Sequence, residues 1–475
     1  MNKYFLGVDL GSTTSKAVII NDKDEIIGRG ITNTRANYRI AVDIARLEAV
    51  YNARFYLLKR LLQEEMRVNP LYKKYLDDIE KVFQYLQFKK RLVSLHEHLR
   101  STVNSRFDNN NKETIIRNID NIISIIEKLI LTEYLSEDLA SKNQFFRDIV
   151  NEKYHDEVKK LDIDLFEPLM LAFDKSITPV ENEMVEFDFK ELVYKAMEIL
   201  DDKYNGIANR NYDDVSVHFD AELNLLKGQF NKIADTFKEH LDRVTEHDIH
   251  ISNMVGTGYG RALLPFPEEC IKSEILCHAF GAHAVFPRTR TVLDIGGQDT
   301  KAIQVDSNGL VTSFYMNDRC AAGCGRYLGY IADELSISLN ELGTIALGSS
   351  KESNICSTCT VFAGAELREL LNVGEKREDI LAGLHKAIVM RAMSLIARSG
   401  GVRNEFTFTG GVARNQTILK YVSSLVRKNY GDDTKINVHP DSIFMGALGG
   451  AMFARRNINV DLPSKKVKKI AQETE

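Results

Sequence analysis

The sequence predicts an α/β fold in which one strand–turn–strand unit occurs twice and a long helical segment lies between the two copies. The first observation is an internal duplication, in which residues 8–18 align with residues 293–303. The second is a change of composition between residues 45 and 245, where only two glycines and three prolines occur. The third is the return of glycine after residue 249, where strand and helix patterns alternate.

The two copies share a pattern as well as identical residues. In each copy an apolar strand ends in an aspartate, a short polar turn follows, and a second strand begins. Four of the eleven aligned positions are identical, with Asp9, Gly11, Lys16 and Ala17 matching Asp294, Gly296, Lys301 and Ala302. We interpret the copies as products of one ancestral unit; a chance match is the alternative.

The segment between the copies is predicted to be helical, because apolar residues recur at helical spacing over 119–130 and 223–241. The predicted regions are a first strand–turn–strand unit (1–44), a helical insertion (45–246), the remainder of the α/β part (247–456) and a basic tail (457–475). We interpret the tail as a solvated end, with docking of a partner as the alternative. We hypothesise that the insertion docks other subunits, and the alternatives are that it covers a ligand cleft or contacts another protein.

Composition excludes several classes of protein. Hydrophobic residues make up 44% and charged residues 27%, which is typical of a globular protein. The net charge of -5 argues against a general nucleic-acid binder. The sequence contains no run of about eighteen apolar residues and no signal-peptide pattern at its start. We therefore expect a cytoplasmic protein that does not act in a membrane.

The two turns have the chemistry of loops that bind the phosphates of ATP. Glycine allows close approach of the backbone N–H groups, and small hydroxyl residues add donors. Because bare carboxylates would repel phosphates, the neighbouring aspartates predict a hydrated Mg²⁺ ion between them and the nucleotide. The alternative is a pair of ordinary hairpin turns at the surface. The predicted nucleotide-binding residues are Gly11, Ser12, Thr13, Thr14, Lys16, Gly296 and Gly297, and the predicted catalytic residues are Asp9, Asp294 and Gln298.

A third element supports nucleotide binding. Residues 406–409 form a predicted strand, and the residues after it open a helix. Such a junction can let an adenosine lie against the backbone, so we assign Gly410, Gly411 and Asn415 to nucleotide binding. No Gly-x-x-x-x-Gly-Lys-Ser/Thr sequence occurs, which excludes a Walker-type loop.

Four cysteines form two closely spaced pairs before predicted helices. Cys320 and Cys324 precede a helix predicted over 326–335, and Cys356 and Cys359 precede one that begins near Phe362. Helix N-termini favour thiolates and anionic clusters. The residues leave three alternatives open: zinc bound by all four cysteines, a whole 4Fe–4S cluster in one chain, or a cluster shared across a subunit interface.

Two further cysteines have a simpler interpretation. Cys270 and Cys277 fall on a helix predicted to begin near Glu268. We expect both to be buried packing residues.

Three motifs together resemble those of the activator ATPases of 2-hydroxyacyl-CoA dehydratases and benzoyl-CoA reductases. They span residues 317–323, 358–362 and 408–413. The resemblance covers residues 1–40 and 250–456, with the motifs in order and at compatible spacing. Residues 363–369 and 374–385, together with the long insertion, are most similar to the larger ATPase subunit of ATP-dependent benzoyl-CoA reductase.

The resemblance implies two ribonuclease-H-like lobes with ATP between them, as in actin, hexokinase and heat-shock chaperones. It also implies a second ATPase-type subunit, homologous or identical, that shares one 4Fe–4S cluster with this chain. By motif position the ligands from this chain are Cys320 and Cys359, with Cys324 and Cys356 as additional cysteines nearby. The implied partners are reduced ferredoxin as electron donor and the catalytic reductase or dehydratase subunits.

Three functions follow in order of expectation. The first is the electron-activating ATPase subunit of a benzoyl-CoA reductase, and the second is the activator of a 2-hydroxyacyl-CoA dehydratase. The third is a kinase with a structural zinc, in which Asp299 would be the base that faces the γ-phosphate. Since no set of paired acid–base residues is evident, we expect the acyl-CoA site on partner subunits.

Overall fold

A computed structural model describes residues 3–34, 37–107, 109–135, 145–205, 230–317, 324–335, 337–355 and 360–456. The described residues fall into two compact units. The described residues of the α/β unit fall within 3–34, 41–50 and 249–456, and those of the helical unit fall within 37–40 and 51–248.

The first sheet of the α/β unit, which we call the sheet of lobe I, contains the first copy of the duplicated unit. Its strands are β1 (Tyr4–Leu10), β2 (Thr14–Asn21), β3 (Ile26–Asn33) and β4 (Ile251–Thr257), in the order β3-β2-β1-β4. Strands β1 to β3 pair antiparallel, and β4 pairs parallel with β1. Strand β1 is buried at every position, as its continuous apolar pattern requires.

The second sheet, that of lobe II, repeats this arrangement and adds one strand. Its strands are β5 (Thr291–Ile295), β6 (Thr300–Val305), β7 (Val311–Asn317), β8 (Phe406–Thr409) and β9 (Ile436–Val438), in the order β7-β6-β5-β8-β9. Strands β5 to β7 are antiparallel, whereas β8 pairs parallel with β5. The topology of lobe I is therefore repeated in lobe II.

The repeat extends further than the sequence alignment indicates. With the offset of 285 residues that separates Asp9 from Asp294, the second and third strands of each lobe are also equivalent. The strand register shifts between Ile19 and Ile20 in lobe I and between Gln304 and Val305 in lobe II, which are equivalent positions.

The hairpin turn that follows is repeated as well. The Oδ1 atoms of Asn21 and Asp306 each accept two backbone N–H groups in their turns, at 2.8–3.0 Å. The left-handed position of each turn is equivalent too, at Asp24 (φ 63°) and Gly309 (φ 77°). Shared register shifts and shared turns support descent from one ancestral unit.

Two helices connect the lobes. Helix α9 (Glu274–Val285) follows lobe I in sequence, and the C-terminal helix α15 (Met445–Arg456) follows lobe II. Helix α15 returns to lobe I, where Ala447 and Leu448 share a core cluster with Phe5. The other helices of this unit are α10 (Gly325–Leu335), α11 (Leu339–Leu347), α12 (Thr360–Asn372), α13 (Arg377–Ser399) and α14 (Gln416–Tyr430).

All of the described secondary-structure elements between β3 and β4 are helices. Its helices are α1 (Tyr38–Leu61), α2 (Gln63–Val68), α3 (Leu71–Arg106), α4 (Asn109–Leu135), α5 (Phe146–Val158), α6 (Ile163–Glu181), α7 (Phe189–Asn205) and α8 (Phe230–Glu246). Leu92, Leu95 and Leu99 of α3 belong to one buried cluster with Ile119 and Ile126 of α4. The helical unit therefore has a hydrophobic core of its own. The predicted basic tail, 457–475, lies outside the described residues.

The prediction that Cys270 and Cys277 share a helix is wrong. Cys270 ends a short 3₁₀ turn, whereas the helix that holds Cys277 begins at Glu274. The residue after Cys270, Ile271, forms a parallel bridge with Gly256, which requires extended backbone between the two segments. Both thiols are buried, as expected, and burial raises the pKa of Cys277 to about 12.

Within the described residues, helix α13 is long and apolar enough to cross a membrane by length and composition alone. Most of its apolar stretch, 67%, is buried inside the protein. Ile388, Val389 and Ile396 of this helix belong to the main core cluster of lobe II. Its apolar composition is thus explained by packing against the sheet.

Candidate functional site

The two predicted catalytic aspartates lie at the ends of β1 and β5, each directly opposite a lysine. Asp9 pairs in register with Lys16, and Asp294 pairs in register with Lys301. The lysine Nζ to aspartate Oδ2 distances are 3.2 Å and 3.4 Å. All four side chains are buried. Each lobe therefore presents a buried carboxylate–ammonium pair at the same position.

The turns after these strands meet at one point. A Cβ atom on Gly297 would lie 2.1 Å from Thr13 Oγ1, so only glycine allows the turn of lobe II to approach the turn of lobe I this closely. Thr13 is exposed. The other predicted phosphate-binding residues of the turns are half-buried: Gly11, Ser12, Thr14, Gly296, Gly297 and Gln298. The structure thus brings together the two turns that the duplication predicted.

An imidazole lies between the two aspartates. His278 of helix α9 places Nδ1 3.2 Å from Asp294 Oδ1 and Nε2 3.9 Å from Asp9 Oδ2. The Nδ1 contact is an ion pair without the alignment of a hydrogen bond. A Cβ atom on Gly446 of α15 would lie 2.7 Å from His278 Nε2 and 3.0 Å from Asp9 Oδ2. Helices α9 and α15 therefore close this side of the site.

Burial and neighbouring charges shift the pKa values of the lobe II cluster in opposite directions. Burial raises the pKa of Asp294, but the charges of His278 and Lys301 and a 2.8 Å hydrogen bond from Thr409 hold it well below its usual range. Burial lowers the pKa of His278, but Asp294 raises it above its ordinary value. Burial also lowers the pKa of Lys301, and the carboxylates of Asp294 and Asp299 more than compensate. The charged forms of Asp294, His278 and Lys301 therefore stabilise one another.

The carboxylate of Asp299 is engaged within the same cluster. Its Oδ1 lies 2.7 Å from Lys301 Nζ, and the residue is buried. Glu274, one turn before His278 on α9, is also buried, and burial raises its pKa against the opposing charge of Lys301. A base that faces the γ-phosphate must be free to take a proton, so this ion pair disfavours the kinase hypothesis.

The predicted adenosine element is a tight connection after β8. Gly410 has φ +90°, and a Cβ atom there would lie 2.2 Å from the carbonyl oxygen of Ile295. Gly411 is exposed, so its backbone is accessible to a ligand. Asn415 caps helix α14 by accepting the Ile418 N–H at 3.0 Å, and its amide nitrogen lies 3.0 Å from His385 Nε2. The side chain of Asn415 therefore has a role within the fold.

Three of the four carboxylate oxygens of Asp9 and Asp294 have partners within the protein. Asp9 Oδ2 lies near Lys16 and His278, and both oxygens of Asp294 are contacted by Thr409, His278 and Lys301. Among the described residues, no group of three or more His, Cys, Asp or Glu side chains is arranged to hold a metal ion. A magnesium ion that contacts the aspartates through water remains a prediction.

The predicted cluster ligands Cys320 and Cys359 lie outside the described residues, as does Cys356. Cys324 is described and buried. Helix α10 begins directly after it, and its first two N–H groups donate to the turn of lobe II. Gly325 N–H donates to Gly296 O at 2.8 Å, and Arg326 N–H donates to Gly297 O at 2.7 Å. The predicted phosphate turn is thus joined directly to the segment that carries two of the cysteines.

Three residues of the site were missed by sequence reasoning: His278, Thr409 and Gly446. Glu274 and His278 are four residues apart, which places both on one face of α9. That spacing, just before the second copy, was an available signal. Gly446 was recognised only as part of a small-residue helix, because its neighbours belong to the distant lobe I.

The duplicated sheets and the facing turns define a class of protein, the two-lobed ATPases of the actin and hexokinase type. The crystal structure of (R)-2-hydroxyglutaryl-CoA dehydratase component A from Acidaminococcus fermentans has this fold. It matches with a TM-score of 0.50 and 21% identity, covering 96% of this chain and 99% of that one. The predicted fold class is therefore confirmed.

The chain belongs to the BadF/BadG/BcrA/BcrD ATPase family, whose model matches residues 6–454. The 2-hydroxyisocaproyl-CoA dehydratase activator of Clostridioides difficile is 42% identical over 204 residues, which are 43% of this chain and 74% of that protein. A benzoyl-CoA reductase subunit of Thauera aromatica is 31% identical over 176 residues, 37% of this chain and 62% of that protein. The predicted family is confirmed, but the relatives favour dehydratase activators over benzoyl-CoA reductase.

Proposed function

We propose that this protein is an ATP-dependent activator that transfers a low-potential electron to the catalytic subunits of a 2-hydroxyacyl-CoA dehydratase. The choice of dehydratase rests on the greater identity to a dehydratase activator than to a benzoyl-CoA reductase subunit. It reverses the order expected from the sequence motifs. The ATPase subunit of a benzoyl-CoA reductase is the second candidate.

The observation that carries the proposal is the junction between the turn of lobe II and helix α10. The carbonyl groups of Gly296 and Gly297 accept the N–H groups of Gly325 and Arg326. These two hydrogen bonds would pass a displacement of that turn, as a phosphate is bound or lost, to the start of α10 and the adjoining Cys324. Such coupling also requires that ATP and its hydrolysis products differ in affinity for the two arrangements of the turn.

We assign the nucleotide to the two turns and to the connection after β8. The backbone of Gly11 to Thr14 and of Gly296 to Gln298 would hold the phosphates, and Gly410 and Gly411 would lie against the adenosine. Asp9 and Asp294 would act on the phosphates through hydrated Mg²⁺, with Gln298 beside the reacting phosphate. The fit is supported by Gly297, where a side chain would fill the space between the two turns.

We assign one shared 4Fe–4S cluster to Cys320 and Cys359 of this chain and to two cysteines of a second ATPase-type subunit. When bound, such a cluster would take up one electron from reduced ferredoxin and release it to the dehydratase subunits. For a one-electron step, each ~59 mV of lowered potential costs ~1.4 kcal/mol, so coupling to ATP is physically reasonable. We assign the docking of the partner subunits to the surface of the helical unit, which has a hydrophobic core of its own.

The first experiment is the measurement of iron and zinc in protein purified without oxygen, together with a visible spectrum. About two irons per chain with broad absorbance that reduction removes would support a shared cluster. Zinc at about one per chain without that absorbance would overturn the proposal. Cys359→Ser should lose the absorbance and keep ATP binding, whereas the control Cys270→Ser, in the 3₁₀ turn, should keep both.

A second measurement separates the two candidate functions. A dehydratase activator uses a few ATP molecules per activation, because the electron is recycled over many product molecules. A benzoyl-CoA reductase uses ATP and electrons continuously, in a fixed ratio to product. Activation of a purified dehydratase component by this protein, with ATP counted per product, therefore decides between them.

A further inference from the structure

The side chain of His278 lies where the two lobes come together. Its helix, α9, follows lobe I in sequence and leads into lobe II. The imidazole is only 6% exposed, and its two nitrogens face carboxylates of different lobes, Asp294 at 3.2 Å and Asp9 at 3.9 Å. An imidazole has nitrogens on opposite sides of one rigid ring, so a single side chain can contact both carboxylates at once.

Local charge balance does not require this histidine. Asp9 already has the ammonium group of Lys16 at 3.2 Å, and Asp294 has that of Lys301 at 3.4 Å. Each of those ion pairs forms within one sheet, so neither pair constrains the distance between the lobes. The contacts of His278 are the ones that join a carboxylate of lobe I to a carboxylate of lobe II.

The surroundings hold the imidazole in this place. Gly446 of α15 approaches so closely that a Cβ atom would lie 2.7 Å from His278 Nε2. Thr409 donates to the Asp294 oxygen that faces Nδ1, at 2.8 Å. With helix α9 behind it, the ring is confined on several sides, so a movement of one aspartate is passed to the ring rather than absorbed by it.

We propose that His278 is a positioning residue that links Asp9 to Asp294, so that a change at the phosphate turn of one lobe is transmitted to the other. The proposal deepens the proposed function, since the transmitted change would be the loss of the γ-phosphate. His278 does not contact the phosphates in this assignment. Its role is to hold the carboxylates of Asp9 and Asp294 in a fixed position relative to each other.

The test uses two substitutions that each keep one contact. Asn places its amide nitrogen near the position of Nδ1 and so retains the contact with Asp294, whereas Gln reaches the position of Nε2 and retains the contact with Asp9. His278→Asn and His278→Gln therefore leave a packed polar side chain but break the link. His283→Gln, a half-buried histidine on the same helix, is the matched control.

The main readout is amide hydrogen exchange without nucleotide, which reports local opening. In the otherwise unchanged protein, Asp9→Asn in lobe I should speed exchange within residues 293–303 of lobe II by about threefold or more, which corresponds to ~0.65 kcal/mol or more of coupling. This effect should vanish in the His278→Asn and His278→Gln backgrounds and persist in His283→Gln. An effect of equal size with and without His278, or no effect in any background, would overturn the proposal.

The second readout is ATP hydrolysis. Both half-contact variants should lose about tenfold in kcat, or ~1.4 kcal/mol, while Kd for ATP changes by less than about threefold. A merely structural histidine would be rescued by one of the two variants, and wild-type kcat in either one would count against the link. If the unsubstituted protein hydrolyses no ATP, the proposed function fails, and the exchange experiment still decides the role of His278.

Discussion

In lobe I the aspartate at the end of the first strand has a lysine at 3.2 Å and the more distant His278 at 3.9 Å, whereas its counterpart in lobe II has three partners within 3.4 Å. Asp294 is contacted by Lys301 at 3.4 Å, Thr409 at 2.8 Å and His278 at 3.2 Å. The backbone of the two copies is the same to the level of register shifts and turn hydrogen bonds. The duplication therefore preserved the backbone while the charge around the aspartates diverged.

The threonine that ends each parallel strand shows one source of this divergence. Thr257 pairs with Asp9 and Thr409 pairs with Asp294, at equivalent positions of the two sheets. Thr409 donates to its aspartate, but Thr257 Oγ1 donates to the carbonyl of Lys272 at 3.0 Å. In lobe I the chain after the 3₁₀ turn comes back beside β4 and supplies that acceptor. The comparison teaches that the site is asymmetric and that lobe II carries the stronger electrostatic anchor.

The largest expected effect comes from removing the charge of that anchor. Asp294→Asn should lower the rate of ATP hydrolysis by about 100-fold, because the charges of Lys301 and His278 then lack their main partner. It should also lower the free energy of unfolding by about 1–3 kcal/mol, since a charged hydrogen-bond acceptor is lost while Lys301 keeps Asp299 at 2.7 Å. Steady-state hydrolysis and urea unfolding measure the two quantities.

The matched substitution in lobe I is Asp9→Asn. Since Asp9 has fewer close donors, its loss should reduce hydrolysis by about tenfold. Equal losses in the two variants would contradict the asymmetry of the lobes.

The contact between the turns gives the next effect. Gly297→Ala places a Cβ atom 2.1 Å from Thr13 Oγ1, so the turns must separate and Kd for ATP should rise about tenfold. Gly329→Ala on α10 is the control, because no atom lies within 4 Å of the added Cβ. Calorimetric titration with ATP measures both variants. Unchanged affinity in the first would show that the turns need not touch.

Substitution of the two equivalent threonines, Thr257 and Thr409, compares the two lobes through smaller expected effects. Thr409→Val removes the 2.8 Å hydrogen bond to Asp294 and should lower both stability, by about 1.5–3 kcal/mol, and ATP hydrolysis. Thr257→Val removes the bond to the Lys272 carbonyl and the contact with the Cys277 thiol, and should lower stability by about 1 kcal/mol while hydrolysis stays within twofold. An equal loss of ATP hydrolysis in both variants would mean that the two threonines contribute only to the stability of the fold.

The last prediction concerns stability alone and not ATP hydrolysis: the stability of lobe II should depend on pH. Burial lowers the pKa of His385 from 6.5 to about 4, so the folded protein keeps this histidine neutral while the unfolded chain takes up a proton. Between these values the unfolded state binds more protons, so stability is complete above 6.5 and falls by about 3 kcal/mol as the pH is lowered to 4. Urea midpoints across this range test the prediction, and His385→Gln should flatten that part of the profile.

Much of the α/β unit could be predicted from local pattern. The strand ends at Asp9 and Asp294, the glycine turns and the strand 406–409 are short-range signals, and the structure has them where the sequence indicated. The shared backbone of residues 19–25 and 304–310 was not detected, because a register shift and a left-handed turn tolerate different side chains. The assignment of the cysteines as cluster ligands stays a prediction.

The sequence by itself determined the duplicated units, the residue types in each turn and the family, because each of these depends on neighbours along the chain. Only the tertiary structure decided which side chains surround the aspartates. His278, Thr409 and Gly446 are separated from Asp9 by more than 250 residues, and nothing in their local sequence specifies a carboxylate partner. Their roles arise because helices α9 and α15 and strand β8 converge on the ends of β1 and β5, where buried charges require partners that only folding can supply.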